Sequence, residues 1–225
     1  MRMPLRVPAG RMAALFIDLQ EEHRRDPRYL VDGFEHILER VARLQQAARA
    51  SGITVLHAEY IVDAADARPF NPIAVDGTPV FSAKGDPVTA ICADVAPVDG
   101  ETVFTKSQPS VFGSAELGAL LTSAGIEWLL VAGVWTEACV DATVKDAIRA
   151  GLRVILVKDA CGSGTEAMHQ VAILNLANRL YGGAVVDAEA ACRLMAGDAV
   201  DAWVVEGAVP LKFTFENAAT LYASL

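Results

Sequence analysis

The stretch EWLLVAGVWTEACVDATVKDAIRAG, residues 127–151, decides the fold because it joins an apolar run to a helical stretch. The run at 127–133 has the length and character of a strand buried on both faces. Residues 136–150 then have the length of a helix, and Gly151 follows, a residue type that commonly comes just after a helix end. This segment therefore predicts a buried strand that leads into a helix, as in α/β proteins.

The same alternation continues on both sides of this segment. Further strands are predicted at 12–18, 53–58, 101–105, 153–160 and 183–188, and further helices at 34–51, 114–124, 166–181 and 188–196. This order predicts a parallel sheet with helices on both faces. The proline-rich stretch 59–100 breaks the rhythm, and so long a connection usually forms a lid or a pocket wall.

Composition excludes several classes of function. Of the 225 residues, 53% are apolar and 21% are charged, which excludes a disordered chain. Lysine and arginine total 19 and aspartate and glutamate 28, giving a net charge of −9 that disfavours nucleic acid and anionic membranes as partners. No apolar run approaches the roughly 20 residues that span a bilayer, and the N-terminal run is too short for a secretory signal. The four cysteines lack the spacing of a disulfide framework or zinc site, so we expect a cytoplasmic protein.

Three polar residues lie near the carboxyl ends of predicted strands. In open parallel sheets, ligands bind beyond these strand ends. Asp18 ends the strand at 12–18, Lys106 follows the strand at 101–105, and Cys139 lies at the start of the helix after 127–133. Taken singly, an aspartate here is usually a cap, a lysine a solvated charge and a cysteine a small buried residue.

Together the three side chains meet one chemical need. A free thiol is mostly protonated at neutral pH, and the thiolate is the nucleophile. With Thr136 as the N-cap, Cys139 would lie in the first helical turn, where backbone amides and the Lys106 ammonium would lower the pKa of the thiol. Asp18 would then exchange a proton with the sulfur and with a leaving amine.

Four segments resemble one family: FIDLQ (16–20), TKSQPSVFGSAEL (105–117), VAGVWTEACVDATVKDAIRAG (131–151) and VILVKDACG (154–162). They look like the isochorismatase-like cysteine hydrolases, a superfamily that includes nicotinamidases, N-carbamoylsarcosine amidases and related small-amide hydrolases. The G-x-x-T-x-x-C-V core at 133–140, with the upstream aspartate and lysine, is the most specific element.

The resemblance implies a single Rossmann-like three-layer α/β domain over 1–225, with a six-stranded parallel sheet in the order 3-2-1-4-5-6. Its core would span about 11–197, and the extension 198–225 would add an edge hairpin or pack on a neighbouring subunit. The resemblance also implies the catalytic set Asp18, Lys106 and Cys139. A cis peptide bond between Val134 and Trp135 would aim the amide of Trp135, with that of Cys139, at an oxyanion. We expect a homodimer or homotetramer.

This chain departs from the family pattern at the metal site of the nicotinamidases. That site begins with D-x-H after the second strand, whereas here VLHAEYIVDAADARPF (55–70) has His57 without the preceding aspartate. We therefore expect no metal and no other cofactor. The candidate substrate-binding residues are Gln20, His23, His57, Tyr60, Phe112, Trp135 and Glu137.

The sequence thus predicts a metal-independent amidohydrolase that cleaves a C–N bond of a small amide or carbamoyl substrate through a thioester. One alternative is the vinyl-ether hydrolysis of isochorismatases, which does not use a cysteine nucleophile. The other is a catalytically idle binding or assembly module of the same fold. Phosphatase and dinucleotide-binding functions are disfavoured because FIDLQ lacks a D-x-D pair and no G-x-G-x-x-G follows the first strand.

Overall fold

The computed structural model describes residues 1–66 and 68–225, and over these the chain forms eight strands and seven α-helices. The strands are β1 (Arg2–Leu5), β2 (Met12–Ile17), β3 (Thr54–Tyr60), β4 (Thr102–Lys106), β5 (Trp128–Val134), β6 (Arg153–Gly162), β7 (Ala184–Val186) and β8 (Val200–Trp203). The helices are α1 (Glu22–Arg25), α2 (Phe34–Ala50), α3 (Glu116–Ser123), α4 (Asp141–Arg149), α5 (Glu166–Ala177), α6 (Ala188–Met195) and α7 (Ala218–Ala223).

All eight strands form one sheet in the order β1-β8-β7-β6-β5-β2-β3-β4. The six neighbouring strands β7, β6, β5, β2, β3 and β4 run parallel to each other. Strand β8 is antiparallel to both of its neighbours, β7 and β1. The predicted α/β class with a parallel-dominated sheet is confirmed. The predicted number of six strands is wrong, because the two ends of the chain add β1 and β8 at one edge of the sheet.

Burial explains why the central strands could be predicted and the edge strand β1 could not. Every residue of β2 and of β5 is buried, in keeping with their continuous apolar character. Three of the four residues of β1 are exposed, and the strand contains a proline, which is tolerated only at sheet edges. Its register is set by β8, with Leu5 opposite Val200, so the pairing joins segments about as far apart as the chain allows.

Two layers of buried side chains cover the two faces of the sheet. Alternate residues of β2 point to opposite faces, and each set enters a different apolar cluster. One cluster includes the buried sides of α2 and α6, and the other includes those of α3, α4 and α5. The sheet is therefore the middle layer of three.

The C-terminal part of the chain packs on its own body. After β8, the helix α7 packs against α5, and Ala218 and Leu225 belong to a core cluster. The guanidinium of Arg2 donates to the carbonyl of Leu225 over 2.6 Å. Within residues 198–225, β8 is the second strand from this edge of the sheet, and it pairs with β1 and β7 instead of folding into a hairpin of its own. Packing of this extension on a neighbouring subunit stays a prediction. In the described part of the chain, none of the helices combines the length and apolar character needed to cross a membrane.

The order of the strands places a switch point between β2 and β5. From β2 the chain proceeds through β3 to β4 on one side, and from β5 through β6 to β7 on the other. In open α/β sheets, the crevice at the carboxyl ends of such neighbouring strands is where ligands bind. Both strands end at residues with unusual backbone conformations, which shape the site described next.

Candidate active site

Asp18 lies directly after β2, at the switch point of the sheet. Its φ of 53° is in the left-handed region, which residues other than glycine seldom adopt and which is enriched at functional sites. The backbone N–H of Asp18 donates to the carbonyl of Ala58 over 2.9 Å, which fixes this turn against β3. Asp18 as a whole is only 3% exposed.

Gly133 permits β5 to approach this turn closely. Its φ is 130°, and a Cβ at this position would lie 2.1 Å from the carbonyl oxygen of Ile17. Only glycine fits between the two strand ends without moving one of them. The glycine of the G-x-x-T-x-x-C-V core therefore has a packing reason, which is the contact between the end of β5 and the end of β2.

Lys106, the last residue of β4, connects Asp18 with Cys139. Its Nζ lies 2.7 Å from Oδ2 of Asp18 and 3.2 Å from Sγ of Cys139, and it stands 4.2 Å from the centre of the Tyr60 ring. The side chains of Lys106 and Asp18 are 7% and 4% exposed, so the two form a buried ion pair with the sulfur beside it. The structure thus places the three predicted residues in contact.

Cys139 lies in a π-helical turn, Thr136–Val140, between β5 and α4. The prediction that Thr136 caps the helix is wrong. Thr136 is the first residue of the π-helical turn, with Trp135 at the N-cap position, and its buried hydroxyl donates to the carbonyl of Gly162 over 2.9 Å. The helix α4 follows from Asp141. Single turns of π-helix frequently occur at functional sites. The peptide bond between Val134 and Trp135, just before this turn, is cis.

The protonation state of Cys139 differs from the one expected from the sequence. Burial raises the pKa of the Cys139 thiol well above its ordinary value, the negative charge of Asp18 acts in the same direction, and Lys106 only partly opposes them. The expectation of a lowered thiol pKa is therefore wrong, because the site removes water from the sulfur and places a carboxylate beside it. At neutral pH the resting form is a thiol.

The carboxyl group of Asp18 is set up to exchange a proton. Burial raises its pKa above the ordinary value for aspartate, and the charge and hydrogen bond of Lys106 counteract that rise. One oxygen, Oδ2, accepts from Lys106, while Oδ1 is buried and has no hydrogen-bond partner within the part of the chain that is described. An unpartnered buried oxygen is costly, so Oδ1 is the atom free to accept a proton.

A cavity of about 250 Å³ opens beside the sulfur. This is somewhat smaller than usual drug-sized sites, so it suits a small molecule. Five predicted site residues line it, namely Asp18, His23, Tyr60, Trp135 and Cys139. Seven further lining residues were not predicted, and they are Glu22, Tyr29, Phe70, Phe81, Ser82, Pro109 and Ala138.

Two of the predicted substrate-binding residues, His23 and Trp135, contact each other in the wall of the cavity. The indole Nε1 of Trp135 donates to Nδ1 of His23 over 3.3 Å, and their ring centres are 6.2 Å apart. Burial lowers the pKa of His23 to about 4, so the imidazole is neutral near pH 7 and has an acceptor nitrogen. This pair forms a largely uncharged, aromatic side of the cavity.

The structure places Gln20 and His57 outside the cavity, which corrects their prediction as lining residues. Gln20 is fully buried, with its amide nitrogen donating to the carbonyls of Tyr60 and Thr89 over 3.0 and 2.7 Å. His57 lies 2.8 Å through Nε2 from a carboxylate oxygen of Glu101, and burial lowers its pKa. Both side chains hold strands and loops together.

Phe112 and Glu137 also lie away from the cavity. Phe112 packs against the apolar cluster that contains α3 and α4, so the aromatic ring serves the core. Glu137 is exposed and accepts a hydrogen bond from the Ser163 hydroxyl over 2.8 Å. Its neighbours Ala138 and Cys139 face the cavity, because the π-helical turn directs adjacent residues to different sides.

Five of the seven unpredicted lining residues come from two segments, 21–29 and the long connection between β3 and β4, and Pro109 and Ala138 lie elsewhere. Glu22 belongs to the charged run EEHRR at 21–25, which is typical of a solvated surface, yet Glu22 is 3% exposed. Phe70, Phe81 and Ser82 come from the long connection between β3 and β4, which was predicted to be a lid or a pocket wall and supplies part of this wall. Across 1–66 and 68–225, no group of three His, Cys, Asp or Glu side chains is arranged to hold a metal ion.

Comparison with known proteins agrees with this geometry. The family model described as Isochorismatase domain matches residues 12–190. Maleamate amidohydrolase from Pseudomonas putida is 30% identical over 205 residues, which cover 85% of this chain and 92% of the relative. N-carbamoylsarcosine amidase from an Arthrobacter species is 30% identical over 175 residues, which cover 76% of this chain and 66% of the relative.

A solved structure of an isochorismatase family protein from Desulfovibrio vulgaris aligns with a TM-score of 0.74 and 29% identity, covering 83% of this chain and 98% of that one. Fold and relatives together define the protein as a hydrolase of the α/β class. More narrowly, the chain belongs to the isochorismatase family, and the two relatives named above are amidohydrolases.

Proposed function

We propose that this protein is a cysteine amidohydrolase that cleaves a C–N bond of a small amide or carbamoyl compound. The single observation that carries the proposal is the position of Lys106 Nζ, 2.7 Å from Asp18 and 3.2 Å from the Cys139 sulfur, beside a cavity of small-molecule size. A maleamate amidohydrolase and an N-carbamoylsarcosine amidase among the relatives support amide hydrolysis as the reaction.

The first step forms a carbon–sulfur bond. Asp18 takes the proton of the Cys139 thiol through its unpartnered Oδ1 as the sulfur attacks the substrate carbonyl carbon. Because burial raises the pKa of the Cys139 thiol, the sulfur depends on Asp18 to take its proton for the attack. The carbonyl π electrons move to oxygen, and the backbone amides of Trp135 and Cys139 donate to this oxyanion.

The second step breaks the C–N bond. The protonated Asp18 gives its proton to the nitrogen, which leaves as ammonia or an amine, and a thioester remains on Cys139. A water molecule then attacks the thioester carbon while Asp18 takes one of its protons. When the carbon–sulfur bond breaks, the sulfur recovers that proton and the acid is released.

Lys106 supplies positive charge throughout this sequence of steps. Its ammonium stabilises the ionised form of Asp18 before the attack and the negative charge that develops on the sulfur during it. The cycle uses only side chains and backbone of this chain together with water, so we propose that it requires no metal ion.

An ammonia-release screen over small amides, ureas and lactams tests the proposal, with Cys139→Ala as the inactive variant and Cys192→Ala as the matched control. Cys192 is a half-buried cysteine on α6, remote from the cavity lining. Release by the wild type and by Cys192→Ala, and its loss in Cys139→Ala, is the expected result. Activity that survives in Cys139→Ala would overturn the proposal, and turnover of a vinyl ether without any amide would favour the isochorismatase-type reaction instead.

A further inference from the structure

A second carboxylate, Glu22, lines the same cavity as Cys139 and has no task in the steps above. It is the first residue of α1, four positions after Asp18, and it is 3% exposed. A glutamate is almost never buried unless its charge is compensated. Its presence in the cavity wall therefore needs a physical reason.

Ser82 holds Glu22 through both carboxylate oxygens. The backbone N–H of Ser82 donates to Oε2 over 3.0 Å, and its hydroxyl is 2.6 Å from Oε1. Ser82 has a φ of 49°, a left-handed conformation that is unfavourable for serine. Since an ionised carboxylate has about four acceptor positions and Ser82 takes two, acceptor positions remain for a ligand.

In the described part of the chain, the Glu22 carboxylate forms no ion pair with a group that is cationic near pH 7. Within residues 1–66 and 68–225, no lysine or arginine forms an ion pair with Glu22, and His23, with Nε2 at 4.0 Å from Oε1, is neutral near pH 7. Burial and the charge of Asp18 raise the pKa of Glu22, while the hydrogen bonds from Ser82 oppose this. A positive charge bound beside Glu22 would offset both the cost of burying this carboxylate and its repulsion by Asp18.

Aromatic rings surround this part of the cavity. Phe81, the neighbour of Ser82, lies with its ring centre 5.5 Å from that of Tyr29 and 5.7 Å from that of Tyr60. The faces of such rings attract cations, and the attraction grows when water is excluded. No lysine or arginine is present among the described residues that line the cavity, and the nearby Lys106 is paired with Asp18, so a carboxylate placed next to Glu22 would be repelled.

We propose that Glu22 is the specificity-determining residue of this cavity and that it binds a protonated nitrogen at the non-reacting end of the substrate. The inference rests on the proposed function in taking the bound molecule to be an amide. The substrate class is then a short amide that carries an ammonium group, with its carbonyl at Cys139, its cationic end at Glu22 and its chain along Tyr29, Tyr60 and Phe81.

Three amides of matched chain length test this assignment: γ-aminobutyramide with an ammonium end, valeramide with a methyl end and glutaramate with a carboxylate end. Calorimetric titrations use Cys139→Ala so that binding is measured without turnover. We expect γ-aminobutyramide to bind about 10- to 100-fold tighter than valeramide, which is the effect of one charge-assisted hydrogen bond, and glutaramate to bind most weakly.

The isosteric change Glu22→Gln, made in the same background, keeps an acceptor for the Ser82 N–H but removes the charge. It should abolish the preference for the ammonium ligand and leave valeramide binding within about twofold, whereas Glu35→Gln, on the exposed side of α2, should keep the preference. Equal binding of the three amides, a preference that survives in Glu22→Gln, or no binding of any of them would overturn the assignment.

Ammonia release by the protein with Cys139 intact is measured separately on the same three amides. A binding preference without any release would sink the proposed function and leave the role of Glu22 standing. Release from all three amides at similar kcat/KM would support the proposed function and contradict the role of Glu22.

Discussion

Replacing Lys106 by methionine removes the positive charge of the site while keeping most of the volume of the side chain. In the wild-type protein this ammonium lies 2.7 Å from Oδ2 of Asp18 and 3.2 Å from the sulfur of Cys139. Its loss leaves Asp18 buried without a counter-charge. We therefore expect the variant to hold the Asp18 proton to a higher pH, and to lose activity where Asp18 is still protonated.

The size of the effect can be worked from the ion-pair distance. At 2.7 Å and an effective dielectric constant of about 20, the gross attraction is about 6 kcal/mol, part of which offsets the desolvation of both groups. Carboxyl groups beside a cation typically have a pKa that is lower by about 1–3 units, which corresponds to about 1.4–4 kcal/mol. The acid limb of kcat/KM should consequently move upward by about 1–3 pH units in Lys106→Met.

The assay is kcat/KM for ammonia release over a range of pH, combined with urea unfolding at the same pH values. Since burial raises the folded-state pKa of Asp18, its ionised form is disfavoured by folding, and the stability that comes from the protonated form is lost as pH rises through that pKa. The stability gap between wild type and Lys106→Met should therefore widen as pH increases. Lys145→Met, which removes an exposed lysine of α4, is the control and should shift neither profile. An unchanged acid limb in Lys106→Met would refute the reasoning.

Three further predictions concern packing, a predicted residue outside the cavity, and metal dependence. Gly133→Ala should lower the free energy of unfolding by about 2–4 kcal/mol, because its Cβ would meet the carbonyl of Ile17. The control Gly118→Ala, with open space around its Cβ, should be neutral or stabilising. Equal effects of the two changes in urea titrations would contradict this. His57→Gln should reduce stability by about 1–3 kcal/mol through the loss of its contact with Glu101 and leave kcat/KM within about twofold, and a selective loss of activity would return His57 to the site. Dialysis against a chelator should leave ammonia release unchanged, and recovery of a lost rate by an added divalent cation would show that a metal takes part.

The central fold could be predicted because buried parallel strands have a simple sequence pattern. The apolar runs at 12–18 and 127–133 became β2 and β5, with ends that differ by about one residue from those expected. The four-residue strands β1 and β8, at one side of the sheet, had no such pattern, since they are short and contain exposed residues. Their pairing depends on contact between the two ends of the chain, which local sequence does not reveal.

The contact of Asp18, Lys106 and Cys139 could be predicted from strand ends and from the family resemblance. The protonation of the sulfur could not, because it depends on how completely the site excludes water and on the nearness of the Asp18 carboxylate. The expected helix cap at Thr136 failed for a related reason. Its hydroxyl found a partner in Gly162, on a neighbouring strand, which only the tertiary structure brings close.

The wall of the cavity was the least predictable part of the site. Glu22 lies in a run of charged residues that resembles a surface, and its burial depends on Ser82, sixty positions later in the chain. Among the predicted substrate contacts, His23, Tyr60 and Trp135 line the cavity, whereas Gln20 does not, although it follows Asp18 by only two residues. Phe112 does not line the cavity, because its ring packs against the apolar cluster that contains α3 and α4.

The account depends most directly on the Cys139 sulfur becoming bonded to the acyl part of a substrate. Rapid acid quenching during turnover of an amide found in the screen, followed by intact-mass and peptide mass spectrometry, measures this bond. We predict a mass increase equal to the acyl group, located on the peptide that contains Cys139 and absent from Cys139→Ala. The test includes an amide with a bulky acyl group, chosen so that its thioester is hydrolysed slowly. Steady turnover with Cys139 unmodified at every quench time would contradict the account.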